Sequence, residues 1–419
     1  MDVYLIWLLA FGVLFFIATS LILIHNRAHF LGLADIDTAS IRKTLDLTEK
    51  PVFEQTRVSI LIPARNEENN LPTLLNSLGK QDWPCLDIHI LDDHSDDNTM
   101  EIAKNFRDVM ISQVQQEKSH ADIQVFVHSS LERPEGWLGK NWACHQLAGH
   151  ARGEIFIFLD ADTWLAKDAV SSVMKAIQRF GLDFATVWPH QVMKSLLEKT
   201  VVSSVYATVA TYLPTLYSYQ APAWIPFQNL RQKVKPMFAN ACGQCMIFKP
   251  ETYREIGGHE SVKDQVVEDV MLAKMVVGKG KTMRMFHGTD RLWCRMYRTP
   301  AEIFNGFRKN FFAGFNYSLL PFILAWLLHF TVYVLPALVL VAALANILQL
   351  HEHTLIITMA GLIVLSATLQ RLWVSKFLNW PFSTGFLYLP GILWFHMLAF
   401  VVIYDRFLKS GPTWKGRPL

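Results

Sequence analysis

At 419 residues the chain is long enough for one large globular domain plus further elements. Hydrophobic residues make up 51% and charged residues 18%, a balance too apolar for an ordinary water-soluble enzyme. The formal net charge of +3, with no long basic stripe, excludes nucleic acid as an expected partner.

The chain opens with an almost uncharged apolar run from Val3 to Ile24. At about 1.5 Å rise per residue such a run is long enough to cross a hydrocarbon core. It exceeds a signal-peptide apolar region, and Asp2 stands where a basic start would be expected, so residues 1–27 are read as an uncleaved transmembrane anchor. Arg27, Arg42 and Lys43 follow the span and place the next region in the cytoplasm.

From residue 50 to 312 the pattern changes to short β-branched runs separated by polar helical stretches. Strands are predicted at Val58–Ile62, Leu86–Leu91, Ile123–Val127 and Ile155–Leu159, with helices over Glu67–Leu78 and Asn98–Phe106. This alternation predicts an α/β domain with a mostly parallel sheet covered by helices. In such sheets ligands bind beyond the carboxyl ends of the strands. Cys85, Cys144, Cys242, Cys245 and Cys294 all fall in this region and read as reduced thiols. The spacing Cys242-Gly-Gln-Cys245 would suit redox or metal chemistry but lacks a second ligand pair, which favours two small buried thiols. The apolar, tyrosine-rich stretch Val201–Trp224 reads either as an interfacial element guiding an apolar acceptor or as buried core.

Residues 318–405 turn apolar again, with candidate spans at Leu320–Leu344, Leu355–Val374 and Phe386–Tyr404. Pro321, Pro336 and Pro390 predict kinks or re-entrant geometry there. Arg371 and Lys376 hold the last loop inside, and the basic tail 406–419, with Arg406, Lys409, Lys415 and Arg417, also asks for the cytoplasm. Three full crossings after the middle region would instead export that tail. The expectation is a multi-pass protein of the cytoplasmic membrane with its catalytic domain inside.

Four polar clusters end the predicted strands or open the helix that follows. They are Pro63-Ala-Arg-Asn-Glu67, Asp92-Asp-His-Ser-Asp-Asp97, Asp160-Ala-Asp162, and Glu268-Asp269 after the Gly257-Gly258 turn. Any one of them would pass as a capping turn, since Asp and Ser favour helix starts. Four in this order resemble the family-2 glycosyltransferases of the GT-A fold. Gly136-Trp-Leu-Gly-Lys140, Arg295-Met-Tyr-Arg298 and Trp414-Lys-Gly-Arg417 bring the chain nearer to the bacterial glycosyltransferases associated with carotenoids and hopanoids. Lipid glucosyltransferases acting on ceramide are a more distant similarity.

The resemblance implies roles residue by residue. Glu67 and Asp93 would accept hydrogen bonds from the nucleotide, Lys140 would meet diphosphate charge, and Asp160 would hold ribose or sugar. Asp162 would bind the metal, Mg2+ or Mn2+, because hard cations prefer carboxylate and phosphate oxygens. Asp269 would be the catalytic base, with Glu268, Arg295 and Arg298 in support. The Gln-x-x-Arg-Trp motif of processive relatives is missing from the sequence, which favours transfer of a single sugar. His287 reads as a metal ligand or as an ordinary satisfied polar residue. The function implied is inverting transfer of one sugar, UDP-glucose being the expected nucleotide-sugar donor, to a lipid-like acceptor at the membrane. A polyprenyl phosphate acceptor is the alternative. A transporter or scaffold with vestigial acidic clusters is the competing class, and the apolar spans hold few ionisable residues to line a path.

Overall fold

The computed structural model describes residues 2–37, 56–117, 122–345 and 352–408, with the residue pairs 413–414 and 417–418. Arg42, Lys43, Lys409, Lys415 and the first residues of the expected 50–312 domain lie outside this set. Contacts divide the chain into two units, residues 29–192 with 215–296, and residues 1–28 with 193–214 and 297–419.

The first unit is built on a nine-stranded sheet. Its strands are β1 (Leu31–Gly32), β2 (Val58–Ala64), β3 (Cys85–Asp92), β4 (Asp122–Ser129), β5 (Ile155–Leu159), β6 (Thr163–Leu165), β7 (Phe184–Gln191), β8 (Cys245–Phe248) and β9 (Met283–Cys294). The order across the sheet is β1-β9-β7-β8-β5-β2-β3-β4, with β6 paired to β9. All four predicted strands are present. Val58, Ile60, Ile62, Ile88, Ile90 and Ile157 join Leu71, Leu74, Leu75 and Leu78 of the helix Leu71–Leu78 in one buried core. Strands covered on both faces carry near-continuous apolar runs for this reason.

The sheet is mixed: β8 runs antiparallel between β5 and β7, and β6 antiparallel to β9. The reversal has a local consequence. Because Leu159 pairs with Cys245, the turn before β8 is brought to the carboxyl end of β5, where the Asp160-Ala-Asp162 segment begins.

The second unit holds the apolar helices. Among the described residues four helices are long and apolar enough to cross a membrane: Val3–His29, Leu319–Leu344, Thr354–Phe377 and Tyr388–Asp405. A π-helical turn over Phe330–Val334 interrupts the second, just before Pro336, whose ring removes a backbone donor and crowds the preceding turn. Pro390 sits in the first turn of the last helix, where its missing N–H costs nothing. Leu9, Phe16, Val332, Ile356, Ala360 and Ile363 pack together, and Gln370 donates to the Phe16 carbonyl at 2.9 Å and the Ser20 hydroxyl at 2.6 Å.

The stretch Val201–Trp224 is not one element. Its first half lies in the helix Leu196–Tyr212, which starts from a Ser195–Glu198 capping box and belongs with the apolar helices. Val201, Val202, Tyr206 and Ala210 are buried there. Asn26 donates to the carbonyls of Ala210 and Leu213, both at 2.8 Å, and Arg371 donates to the Ser203 hydroxyl at 3.0 Å. Core packing is therefore the correct reading for residues 201–212.

Candidate functional site

Parallel pairing of β2 with β3 aligns Ala64 with Asp92, so the two strands end level. The Asp93 N–H donates to the Ala64 carbonyl at 2.8 Å, and the Arg65 guanidinium donates to the Asp93 carbonyl at 2.8 Å. Asn66 turns the chain in the left-handed region (φ 51°), and Ser95 Oγ accepts from its N–H at 2.9 Å. Glu67 lies in the turn ahead of the helix Leu71–Leu78, which starts four residues later than predicted, with its N–H donating to Thr99 Oγ1 at 2.7 Å and its carboxylate accepting from Asn70 Nδ2 at 2.8 Å. These bonds fix two adjacent strand ends and leave Glu67 close enough to Asp160 and Asp162 to raise both of their carboxyls.

Lys140 lies in the first turn of the helix Gly139–His150. Its Nζ stands 2.8 Å from Asp160 Oδ1 and 3.1 Å from Glu268 Oε1. Burial alone would lower this ammonium, but the Asp160 and Glu268 carboxylates outweigh it and hold it well above the ordinary lysine value. Asn141, the next residue, donates to the carbonyls of Val262 (2.8 Å), Lys263 (3.2 Å) and Gln265 (3.0 Å). That clamp sets the loop leading into the helix Glu268–Gly278.

The remaining carboxyls, Asp162 and Asp269, are half-buried and stand among other acids. Burial pushes Asp162 up to about 7, with the neighbouring Asp160 and Glu67 charges adding to the rise. Burial likewise pushes Asp269 up to about 7, and Glu268 raises it further. Two backbone donors oppose that rise, Gly243 N–H to Asp269 Oδ2 at 2.7 Å and Val270 N–H to Oδ1 at 2.8 Å. A carboxyl balanced near neutrality is suited to exchanging a proton.

The structure thus gathers Glu67, Lys140, Asp160, Asp162, Glu268 and Asp269. Asp93 ends the adjacent strand. Arg295 is tied in through its backbone, donating to the Asp162 carbonyl at 3.3 Å. Arg298 falls in the unit of the apolar helices, where its N–H donates to Glu302 at 2.7 Å. His287 is bonded at 3.2 Å to Thr289 Oγ1 and packed edge-on against Phe30, and its acidic neighbours are Asp35 and Asp290, not the clustered acids. Cys242 and Cys245 are buried thiols outside any disulfide, and Cys242 Sγ donates to Gln244 Oε1 at 3.5 Å.

Among the described residues no group of three or more His, Cys, Asp or Glu side chains could hold a metal by itself. What suits a cation is Asp162 Oδ1, buried and without a hydrogen-bond partner. It could contribute one ligand to an ion whose other oxygens come from a diphosphate and water.

Three participants escaped the sequence reading. Gly243 approaches so closely that a Cβ there would stand 3.2 Å from Lys140 Nζ and 3.3 Å from Asp269 Oδ2. Cys294 hydrogen-bonds the Asp162 carboxyl and receives a hydrogen bond from Gln244 Nε2 at 2.8 Å. Asn141 clamps the Glu268 loop. A glycine between buried Cys242 and Gln244 just before a strand was the available signal for Gly243; the other two depend on long-range pairing.

Residues 59–257 match the Glycosyl transferase family 2 profile, a range that takes in Glu67, Asp93, Lys140, Asp160 and Asp162. The chain carries a family 2 glycosyltransferase domain. Among characterised proteins, this chain is 25% identical over 295 residues to the 4,4'-diaponeurosporenoate glycosyltransferase of Staphylococcus aureus strain USA300. The match covers 70% of this chain and 66% of that relative's length. The protein of strain MRSA252 with the same name is 26% identical with the same coverage. Among solved structures, the chain is similar to the mannosyltransferase PcManGT from Pyrobaculum calidifontis in complex with GDP-Man and Mn2+. That match has 14% identity, a TM-score of 0.45, and coverage of 96% of this chain and 99% of the other.

Proposed function

We propose that this glycosyltransferase moves one sugar from a nucleotide-sugar donor, UDP-glucose, to a lipid or terpenoid acceptor of carotenoid or hopanoid type, inverting the anomeric carbon. The observation that carries the reading is the half-buried cluster of charged side chains at the strand ends. There Lys140 stands between Asp160 and Glu268, with the near-neutral carboxyls of Asp162 and Asp269 alongside. The curated relatives' name supports an apolar polyene acceptor, and the four apolar helices support a membrane-embedded protein. On this reading the transfer takes place at the cytoplasmic face.

Glu67 and Asp93 accept hydrogen bonds from the nucleotide, and Asp160 holds ribose or sugar. The Lys140 ammonium, kept protonated by its two carboxylates, offers positive charge to the diphosphate. Asp162, with its buried, unpartnered Oδ1, is the residue that would hold Mg2+ or Mn2+. Such a cation, when bound, neutralises charge on a leaving diphosphate. Asp269 takes the proton from an acceptor hydroxyl as that oxygen bonds the anomeric carbon and the bond to the diphosphate breaks. Glu268 adds to the rise that burial gives Asp269, and Arg295 is a supporting cation.

The test is transfer by the purified full chain in lipid, followed by mass spectrometry of the products. UDP-glucose is offered with a hydroxylated terpenoid, a carotenoid acid or a polyprenyl phosphate. A glycosylated terpenoid or carotenoid is expected. Product only from the polyprenyl phosphate would replace the acceptor assignment, and UDP binding without any product would remove the catalytic one.

A further inference from the structure

The residues 224–237 form a surface that nothing in the site explains. Trp224, Phe227 and Met237 are 67%, 69% and 72% exposed, and Leu230 is 45% exposed. The short helix Gln228–Val234 that carries Leu230 has no buried residue. Large apolar side chains clustered in this way mark a surface that meets something apolar. Lys233 and Lys235 are interleaved with them, and Arg231 is folded back with its Nε donating to the Ile225 carbonyl. No acidic residue occurs between Glu198 and Glu251, so the charge of this segment is purely positive.

The underside of the segment is fastened. Ile225 is buried, Tyr217 packs against Phe238 with ring centres 5.1 Å apart, and Pro236 Cγ lies 4.0 Å from where a Cβ on Gly278 would stand. Gly278 ends the helix that Glu268 and Asp269 open. The exposed apolar side chains therefore project from a base attached to a site helix.

We propose that residues 224–237 seat on the surface of a bilayer carrying anionic headgroups. Charge decides the occupant. Aromatic and apolar side chains interleaved with lysines and free of acids complement a surface that is apolar below and negative at the headgroups. The same chain supplies four helices able to cross such a bilayer. A protein partner would have to present an apolar, acidic face of its own. Seating would hold the helix Glu268–Gly278 at a set height above the lipid. The inference goes beyond the transfer reading and does not depend on it.

The experiment uses the full chain in nanodiscs of phosphatidylcholine with or without phosphatidylglycerol, in a Cys85→Ser background. Spin labels are placed at Phe227→Cys and, as an exposed reference, at Lys80→Cys. No donor or acceptor is present, so the outcome is separable from failure of the glycosyl-transfer reading. In anionic discs the label at 227 is expected to be several-fold more accessible to oxygen than to an aqueous nickel chelate, with the opposite order at 80. Lys233→Gln with Lys235→Gln should reduce that preference while leaving the melting temperature unchanged. Water-like accessibility at 227 in anionic discs would overturn the proposal. So would exclusion of both quenchers, which would mean packing against protein, for instance a second copy. Equal insertion in neutral discs would overturn the assignment to anionic headgroups.

Discussion

On the proposed reading Asp269 is the base, and it can serve as one only while it is ionised. Burial and Glu268 push it to about 7, so transfer to a hydroxyl acceptor should fall as pH drops through about 7. Glu268→Gln removes the neighbouring charge and should move that limb to lower pH, read from kcat/KM against pH. Asp269→Asn should lower turnover of hydroxyl acceptors by roughly 10²–10⁴-fold. It should spare carboxylate acceptors, which already lack the proton, and should leave UDP binding near normal. Equal loss with both acceptor types in a transfer assay would assign Asp269 another task. Asp162 makes a separate prediction. With its one buried, unpartnered oxygen replaced, Asp162→Asn should bind UDP with the same affinity with and without Mn2+ in calorimetry.

At the level of elements, the antiparallel insertion of β8 assembles the site. It brings Gly243 beside both Lys140 and Asp269, at distances where an added Cβ is crowded. Gly243→Ala would make the ammonium and the carboxylate give way by a few tenths of an ångström, and small displacements of reacting groups are costly to rate. Turnover should fall on the order of ten-fold at saturating substrate, with the far-ultraviolet circular dichroism unchanged. An unchanged kcat would show that the Gly243 approach is incidental.

For the whole molecule, Asp162 and Asp269 both sit near 7 when folded against an ordinary 3.8. Between about pH 4 and 7 the folded state therefore holds protons that the unfolded chain has released, and stability falls as pH rises through that window. Without nucleotide or cation, the melting temperature should be lower at pH 8 than at pH 5.5. The double substitution Asp162→Asn with Asp269→Asn should flatten this dependence. An unchanged slope in scanning fluorimetry would place the responsible groups elsewhere.

The α/β class, the apolar helices and the acid clusters were legible in the chain because each rests on local pattern. Ile155–Leu159 is a continuous apolar run and Val58–Ile62 one broken only by Ser59, as strands covered on both faces are, and the polar residues after them mark strand ends. What stayed hidden depends on residues far apart. Nothing around Cys245 shows that β8 runs antiparallel, because direction is set by which strand ends can be joined across the sheet. The pairing of Lys140 with Glu268, 128 positions later, needs the Asn141 clamp on residues 262–265. Residues 201–212 and 224–237 both carry large apolar side chains and no acid, yet Val201, Val202 and Tyr206 are buried while Trp224, Phe227 and Met237 stand exposed. Composition states that an apolar surface must be covered; only the tertiary structure decides which stretch the protein covers itself.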